Sequence, residues 1–297
     1  MRPAWLLLAG ALLLPGCMKR PPAPAAAAHY VVGGAYQAGG VWRYPREEFR
    51  LDATGLAAVL PDRAGLTADG EAFDGTAMAA AHPTLQLPAI ALVTNLENGL
   101  QLRVRVNDRG PDSPARLIGL TRGAAARLEI APRGAGRVRV QVEDGPSQAL
   151  RDQLGGGGGV TVAAAPRGAV ASEVLAPPPG VAQSARGPAV RALSPSPSPS
   201  SAAPAQDQVA DRLPDAVTQV AASPGQLWVR AGEFGRRQYA DQVRARIGGL
   251  AAVDAVREGR AEVFRVRAGP FGDVAAADNA LDQAMRAGVT DAHIVVE

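Results

Sequence analysis

The sequence predicts two small folded domains, the first mainly β and the second α+β, joined by a segment that cannot form a core. Three observations support this. The length of 297 residues suits about two ordinary domains. Short apolar runs alternate with turn signals in residues 29–143, whereas residues 224–297 have the order β-α-β-β-α-β. Residues 144–223 carry runs of Gly, Pro and Ser instead, so we expect a disordered linker there.

Overall composition excludes several classes of function. The 31 basic and 28 acidic residues leave a net charge of +3, too small a surplus to indicate nucleic-acid binding. The single cysteine excludes an intramolecular disulfide framework and any multi-cysteine metal site. His29, His82 and His293 lie far apart and lack metal-ligand spacing, so we expect no metal and no cofactor.

The amino terminus has the pattern of a signal peptide, in residues 1–17. One arginine precedes an apolar stretch from Ala4 to Leu14, which is too short to span a bilayer as a helix. The chain's only cysteine, Cys17, follows directly after Pro15 and Gly16. This resembles a bacterial lipoprotein signal, although Pro15 departs from it, and the resemblance implies acylation of Cys17. Met18 then implies the outer membrane, with residues 18–28 as a tether; an ordinary secreted signal with an incidental cysteine is the alternative.

The elements of the first domain follow from periodicity. Strands are predicted at Ala89 to Leu96 and Leu100 to Val106, joined by an Asn-Gly hairpin turn. In the second strand apolar residues alternate with Arg103 and Arg105, so both arginines are expected on a solvated face. A short helix from 122 to 128 and a strand from 137 to 142 complete the domain. Trp42 is expected to pack on it rather than to stack on a sugar.

The second domain begins with a strand at 227–232 and a helix at 235–247, whose inner face is expected to carry Tyr239, Val243 and Ile247. Strands at 251–257 and 261–268, a helix at 273–287 and a last strand to Val296 follow. In this split βαβ arrangement both helices cover one face of the sheet. The other face is left free for a ligand.

Several sequence blocks show a family resemblance. Those in the first domain are Tyr30–Gly34, Thr67–Glu71, Phe73–Asp74, Ala80–Leu85, Val93–Gly99 and Val104–Pro111. Those in the second are Trp228–Phe234 and Phe264–Phe271. The first domain resembles the rare lipoprotein A family, which implies a double-psi β-barrel, and the second resembles a SPOR domain. The resemblance implies a lytic transglycosylase that cleaves peptidoglycan glycan strands stripped of their stem peptides, at the septal periplasmic face of the outer membrane. Divisome proteins are possible partners.

The resemblance also implies the site residues. Asp108 is the candidate general acid, and Glu71, Asp74 and His82 are placed in the same site. Lytic cleavage needs a proton for the glycosidic oxygen, after which the sugar's own 6-hydroxyl replaces water as nucleophile. Each residue also has a structural explanation: a turn for Asp108, a loop acceptor for Asp74, and a hydrogen-bonded core residue for His82.

Two departures from the family pattern favour the alternative of glycan binding without turnover. Val59-Leu60-Pro61 stand where the family has an aromatic sugar-stacking segment, and Gly119 replaces a common Asp. A structural lipoprotein that tethers outer membrane to wall is a third hypothesis. On the SPOR-like sheet the resemblance assigns glycan contacts to Arg230, Glu233 and Arg265, although Glu233 could simply pair with an arginine.

Overall fold

The computed structural model describes residues 26–155, 213–249, 251–259 and 261–297. The signal peptide with Cys17, most of the tether, and residues 156–212 of the predicted linker lie outside the described residues. No helix in the described part of the chain is long and apolar enough to cross a membrane.

The first domain is a closed β-barrel preceded by a short ribbon. Its elements are β1 Tyr36–Ala38, β2 Val41–Arg43, β3 Asp52–Val59, β4 Ala79–Ala81, β5 Ala89–Asn95, β6 Leu100–Asp108, β7 Ile118–Leu120, α1 Arg122–Arg127 and β8 Gly136–Val142. The ribbon pairs β1 with β2, and six strands form the barrel in the order β4-β7-β3-β8-β5-β6, with β4 pairing to β6 to close it. This confirms the predicted barrel.

Alternation along the strands builds the barrel core. Leu102, Val104 and Val106 of β6 are fully buried, as the sequence predicts. Arg103 is half-exposed and pairs with Glu143. Arg105 is the exception: its side chain is only 4% exposed because it pairs with a carboxylate on the cleft wall. The expectation that Arg105 is solvated is therefore wrong.

The predicted linker begins with ordered structure. Residues Asp144–Gln153 form helix α2, which buries Leu150 in the barrel core. Its Ser147 hydroxyl accepts a hydrogen bond from the Ile90 N–H at 3.0 Å. After the undescribed segment, strand β9 (Val217–Gln219) pairs with β6. The expectation of disorder is thus wrong for Asp144–Gln153 and Val217–Gln219, because burial of Leu150 and the Ser147 hydrogen bond fix the helix on the barrel and backbone pairing with β6 fixes the strand.

The second domain has the predicted βαββαβ order. Its elements are β10 Leu227–Phe234, α3 Arg237–Ile247, β11 Ala251–Glu258, β12 Ala261–Phe271, α4 Val274–Arg286 and β13 His293–Val296. The strands form one sheet in the order β11-β12-β10-β13. Helix α4 buries Ala277, Leu281 and Ala284 as predicted. On α3, Ala240 is buried and Tyr239 is 46% exposed, so the predicted register of that helix face is wrong by one residue at its start.

The edge strand of this sheet lies against the outer wall of the barrel. The Thr54 hydroxyl of β3 donates to the Val296 carbonyl at 2.7 Å and accepts from its N–H at 3.2 Å. Arg116 forms a bidentate pair with Asp278 of α4 at 2.7 and 2.9 Å. Leu56, which points outward from β3, is buried in the core cluster of the second domain.

Candidate functional site

A cleft of about 640 Å³ opens beside β4 and the end of β6. Its wall combines the carboxylates of Glu71, Asp74 and Asp108 with apolar side chains. The apolar lining comprises Leu60, Ala72, Phe73 and residues 77–80, and residues 26–28, Leu154 and Leu213 complete the rim. The cleft therefore brings together three of the four predicted catalytic residues.

Glu71 is held as a paired carboxylate. Its Oε1 accepts a hydrogen bond from Arg105 Nε at 2.7 Å and lies 2.5 Å from Arg105 Nη2, and its Oε2 accepts from Asn107 Nδ2 at 2.7 Å. Arg105 is buried, so its charge needs this partner. The negative charge of Glu71 is consequently balanced within the wall.

Asp108 ends β6 and receives hydrogen bonds from three donors. Its Oδ1 accepts from the backbone N–H of Ala68 at 3.0 Å and of Arg109 at 2.8 Å. Its Oδ2 accepts from the guanidinium of Arg63, which also lies 4.8 Å from the ring centre of Phe73. Arg63, whose side chain is 39% exposed, therefore occupies Oδ2, the carboxylate oxygen that no backbone N–H of the described residues reaches.

Asp74 caps the turn that follows it. Its Oδ1 accepts from the N–H of Thr76 at 2.8 Å and from its hydroxyl at 2.6 Å. This is the loop-acceptor role that the sequence allows as an alternative. The side chain still lines the cleft.

His82 lies behind the cleft and does not line it. The side chain is buried, and Nδ1 accepts from the N–H groups of Thr84 and Leu85, each at 3.2 Å. Burial, followed by the positive charge of Arg109, lowers the pKa of His82 to about 3, so the ring is neutral. Its backbone N–H donates to the Asp108 carbonyl at 3.0 Å. His82 thus fixes the turn beside Asp108, and its place in the catalytic set stays a prediction.

Asp69 is a site residue that sequence reasoning missed. Its side chain is fully buried, and Oδ1 accepts from the Thr67 hydroxyl at 2.6 Å and the Glu71 N–H at 3.2 Å. Among the described residues, Oδ2 has no hydrogen-bond partner. Burial raises the pKa of Asp69 to about 6, with a further contribution from the charge of Glu71. Asp69 therefore shapes the loop that presents Glu71.

Leu60 and Gly119, which both depart from the family pattern, lie next to each other at one wall of the cleft. Leu60 lines the cleft, and its side chain occupies the space that a Cβ on Gly119 would enter. A larger residue at 119 would displace Leu60. The pair therefore makes this wall of the cleft aliphatic.

The free face of the second sheet gathers the three predicted glycan contacts. A bulge between Arg230 and Glu233, with Gly232 at φ 125°, brings both side chains to the same face. Glu233 Oε1 lies 2.6 Å from Arg265 Nε and 3.7 Å from Arg230 Nη1. Sequence reasoning missed Trp228, whose ring centre lies 4.1 Å from the Arg267 guanidinium. This face thus offers an aromatic surface among ion pairs.

The described residues hold no group of His, Cys, Asp or Glu arranged to bind a metal ion. Each of the two sites combines carboxylates and arginines with one aromatic ring, Phe73 in the cleft and Trp228 on the sheet face. Such groups suit a hydroxyl-rich ligand.

Comparison with known proteins gives two domain matches. Residues 52–142 match the family described as lytic transglycolase, and residues 223–295 match the SPOR domain. A Yersinia pestis protein named endolytic peptidoglycan transglycosylase RlpA is 38% identical over 155 residues, which cover 44% of this chain and 43% of that protein. The Pseudomonas aeruginosa (PAO1) protein of the same name is 34% identical over 213 residues, covering 69% of this chain and 59% of that protein.

A solved structure is also similar to part of the chain. The crystal structure of the RlpA SPOR domain from Pseudomonas aeruginosa covers 24% of this chain and 99% of that one, at 21% identity and a TM-score of 0.23. The chain spans less than two thirds of the length of either curated relative.

Proposed function

We infer from its two domains, a barrel of the lytic transglycolase family and a SPOR domain, that this chain cleaves the glycan strands of peptidoglycan. The resemblance to the rare lipoprotein A family is confirmed by relatives named as endolytic peptidoglycan transglycosylases. The observation that supports cleavage most directly is the carboxyl of Asp108 on the cleft wall, 13% exposed and beside two further carboxylates.

The proposed reaction uses Asp108 first as an acid and then as a base. Protonated Asp108 donates to the glycosidic oxygen, the bond from that oxygen to C1 breaks, and an oxocarbenium-like centre develops at C1. The sugar's 6-hydroxyl oxygen then bonds to C1, and its proton returns to the Asp108 carboxylate. The product carries a 1,6-anhydro ring, no water is consumed, and the enzyme ends in its starting protonation state.

Substrate binding has to displace Arg63 before this sequence can begin. Arg63 donates to Asp108 and covers one face of Phe73. A sugar ring that enters the cleft can take the place of the guanidinium on Phe73, which frees Asp108 to accept a proton. Glu71 stays paired with Arg105 and serves to shape the wall and to hold hydroxyl groups.

The substrate we propose is glycan that has lost its stem peptides, at the division septum. The SPOR sheet face, with Arg230, Glu233, Arg265 and Trp228, supports this because guanidinium groups and an aromatic ring suit hydroxyls and carboxylates without needing a peptide.

We propose that acylated Cys17 anchors the chain to the periplasmic face of the outer membrane. Substitution Cys17→Ser should then release the protein from membranes.

A catalytically silent septal binder is the second candidate. The observation that favours it is the aliphatic wall made by Leu60 over Gly119, together with the three donors on Asp108.

Product analysis distinguishes the lytic enzyme from the silent binder. Incubation of the full chain with purified stem-peptide-free glycan should release fragments with 1,6-anhydro ends by mass spectrometry. Fragments with hydrolysed reducing ends would exclude the lytic mechanism, and no fragments would favour the silent binder.

A further inference from the structure

A groove of about 600 Å³ lies between the two domains. The charged side chains that line it are Asp52 and Arg139 from the barrel, and Arg230 and Glu297 from the second domain. Its remaining lining includes Leu96, Leu117, Ser223, His293 and Val295. Among the described residues, the groove and the cleft that holds Asp108 share no lining residue. The groove is therefore a site separate from the proposed cleavage chemistry.

The floor of the groove belongs to the free face of the second sheet. In the pairing of β10 with β13, Arg230 lies opposite His293 and Trp228 lies opposite Val295. Residues directly opposite each other on neighbouring strands share a face of the sheet. His293 and Val295 therefore lie on the face that carries Arg230, and both line the groove. The free face thus continues into the groove at its β13 edge.

Glu297 connects the groove to the predicted glycan contacts. It follows β13, and its Oε1 lies 2.8 Å from Nη2 of Arg230, whose Nη1 lies 3.7 Å from Glu233. Its Oε2 lies 2.7 Å from Nη1 of Arg267, and that guanidinium covers the ring of Trp228. Arg230 and Glu297 thus belong both to the groove and to the ion-pair network of the free face.

The barrel supplies the opposite wall of the groove. Arg139 donates from Nε to Oδ1 of Asp52 at 2.6 Å and from Nη2 to Oδ2 at 2.5 Å. The two side chains are 46% and 44% exposed, so the pair is accessible to a ligand. Next to them, Thr54 holds the two walls together through its hydrogen bonds to Val296. A ligand in the groove therefore contacts both domains at once.

The groups of the groove suit a stem-peptide-free glycan strand. Hydrolysis of the amide that joins a stem peptide to the strand leaves a free carboxylate on the sugar. A guanidinium can bind a carboxylate through two parallel hydrogen bonds, so the sugar carboxylate can replace the protein carboxylate on Arg139 or Arg230. Asp52 and Glu297 can then accept hydrogen bonds from sugar hydroxyls. The volume of the groove lies within the range of small-ligand sites.

We propose that the groove between the domains is a second glycan-binding subsite, which continues the SPOR sheet face and holds one strand against both domains. Its barrel contacts are Asp52 and Arg139, and its SPOR contacts are Arg230 and Glu297. The barrel then contributes to glycan binding through a wall that takes no part in cleavage. This inference rests on the proposed function, because the ligand is the same glycan.

Removal of the barrel wall tests the subsite while the SPOR face stays intact. The full chain with Asp52→Ala and Arg139→Ala should bind long stem-peptide-free strands about tenfold more weakly, because a bidentate guanidinium contact is lost. The matched control is Arg103→Ala with Glu143→Ala, which removes another exposed ion pair from the barrel. Both double variants keep the net charge of the chain. Parental affinity for the groove variant, or an equal loss in the control, would overturn the subsite.

Trp228 fluorescence measures these affinities without requiring turnover. In a full chain with Trp5→Phe and Trp42→Phe, Trp228 is the remaining tryptophan. Trp42 is 57% exposed, so the expectation that it packs on the barrel is wrong, and its replacement by Phe should be tolerated. Long strands should shift the emission of Trp228 in the parent, the groove variant and the control. The strand concentration at half-maximal shift gives each affinity.

The outcomes separate the subsite from the proposed function. A parent that binds long strands more tightly than the groove variant, yet releases no anhydro ends, would support the subsite while the proposed cleavage fails. Cleavage with equal affinities for the parent and the groove variant would show the reverse. An emission shift with isolated stem peptides and none with stem-peptide-free strands would also overturn the subsite, in favour of a peptide ligand.

Discussion

At the scale of single residues, the proposed reaction depends on whether Arg63 leaves Asp108. Substitution Arg63→Gln removes the guanidinium that occupies Oδ2 of Asp108. We expect turnover to rise about two- to fivefold, the factor that corresponds to an ion pair of about 0.5–1 kcal/mol. Arg103→Gln, which breaks a surface pair with Glu143, is the control, and unchanged turnover for Arg63→Gln would contradict the role.

Asp69 makes the stability of the barrel depend on pH. Burial raises the pKa of Asp69 to about 6, above the value of about 3.9 in an unfolded chain, so the folded state binds this proton more tightly. The contribution is fully present below about pH 4 and is lost as pH rises through 6. The free energy of unfolding of the parent, minus that of Asp69→Asn, should fall by about 2–3 kcal/mol between pH 4 and 7.

Urea unfolding at several pH values measures that difference. Asparagine keeps an oxygen that can accept from Thr67 and Glu71, so the variant should fold. Titration of other groups, such as His82, cancels because both proteins contain them. A difference that stays constant from pH 4 to 7 would show that Asp69 does not hold a proton in the fold.

At the scale of elements, helix α2 shows how little apolar surface fixes a short segment. Leu150 is 1% exposed and lies in the barrel core. Substitution Leu150→Ala should cost about 2–4 kcal/mol in the free energy of unfolding, through lost burial and a residual cavity. Gln153→Ala on the exposed side of the same helix should change it by less than about 0.5 kcal/mol. Equal small effects would mean that α2 does not pack as described.

The strands could be predicted from the sequence because their periodicity is local. The ion pairs of the cleft could not, because their partners are far apart in the sequence. The apolar run in β5 and the alternation in β6 predict their bounds to within two residues, and the Asn-Gly turn predicts their connection. Arg63 and Asp108 are 45 positions apart, and Arg105 and Glu71 are 34 apart. No local pattern links such residues, so Arg63, Arg105 and Asp69 could not be assigned. The motif blocks did place Glu71, Asp74 and Asp108 on one wall.

Short elements without strong periodicity were also missed. The β1–β2 ribbon has three residues in each strand, too few for an alternation signal. Exposure of Trp42 depends on how this ribbon sits against residues 82–84, which is a tertiary property. Helix α2 was assigned to the linker because its sequence has one large apolar residue on its inner face.

At the scale of the whole molecule, the proposal divides the work between two domains. In this proposal the barrel cleaves the glycan strand and the SPOR sheet binds it. A substitution on the sheet face should therefore weaken glycan binding without changing the rate of cleavage. Arg265→Ala should reduce retention of the full chain on stem-peptide-free glycan by about tenfold, the loss of a charged hydrogen-bonding group. Turnover of short soluble fragments should stay at the parental rate. Arg286→Ala on α4 is the matched control, and equal retention for both variants would contradict the assigned face.

The central claim is that Asp108 supplies the proton for glycan cleavage. Asp108→Asn keeps an oxygen for the N–H groups of Ala68 and Arg109 but removes the transferable proton, so the circular dichroism spectrum and glycan binding should match the parent. The direct measurement is the rate at which 1,6-anhydro ends appear from purified stem-peptide-free glycan. The account predicts a fall of at least about 100-fold. Release of anhydro ends at the parental rate by Asp108→Asn would contradict it.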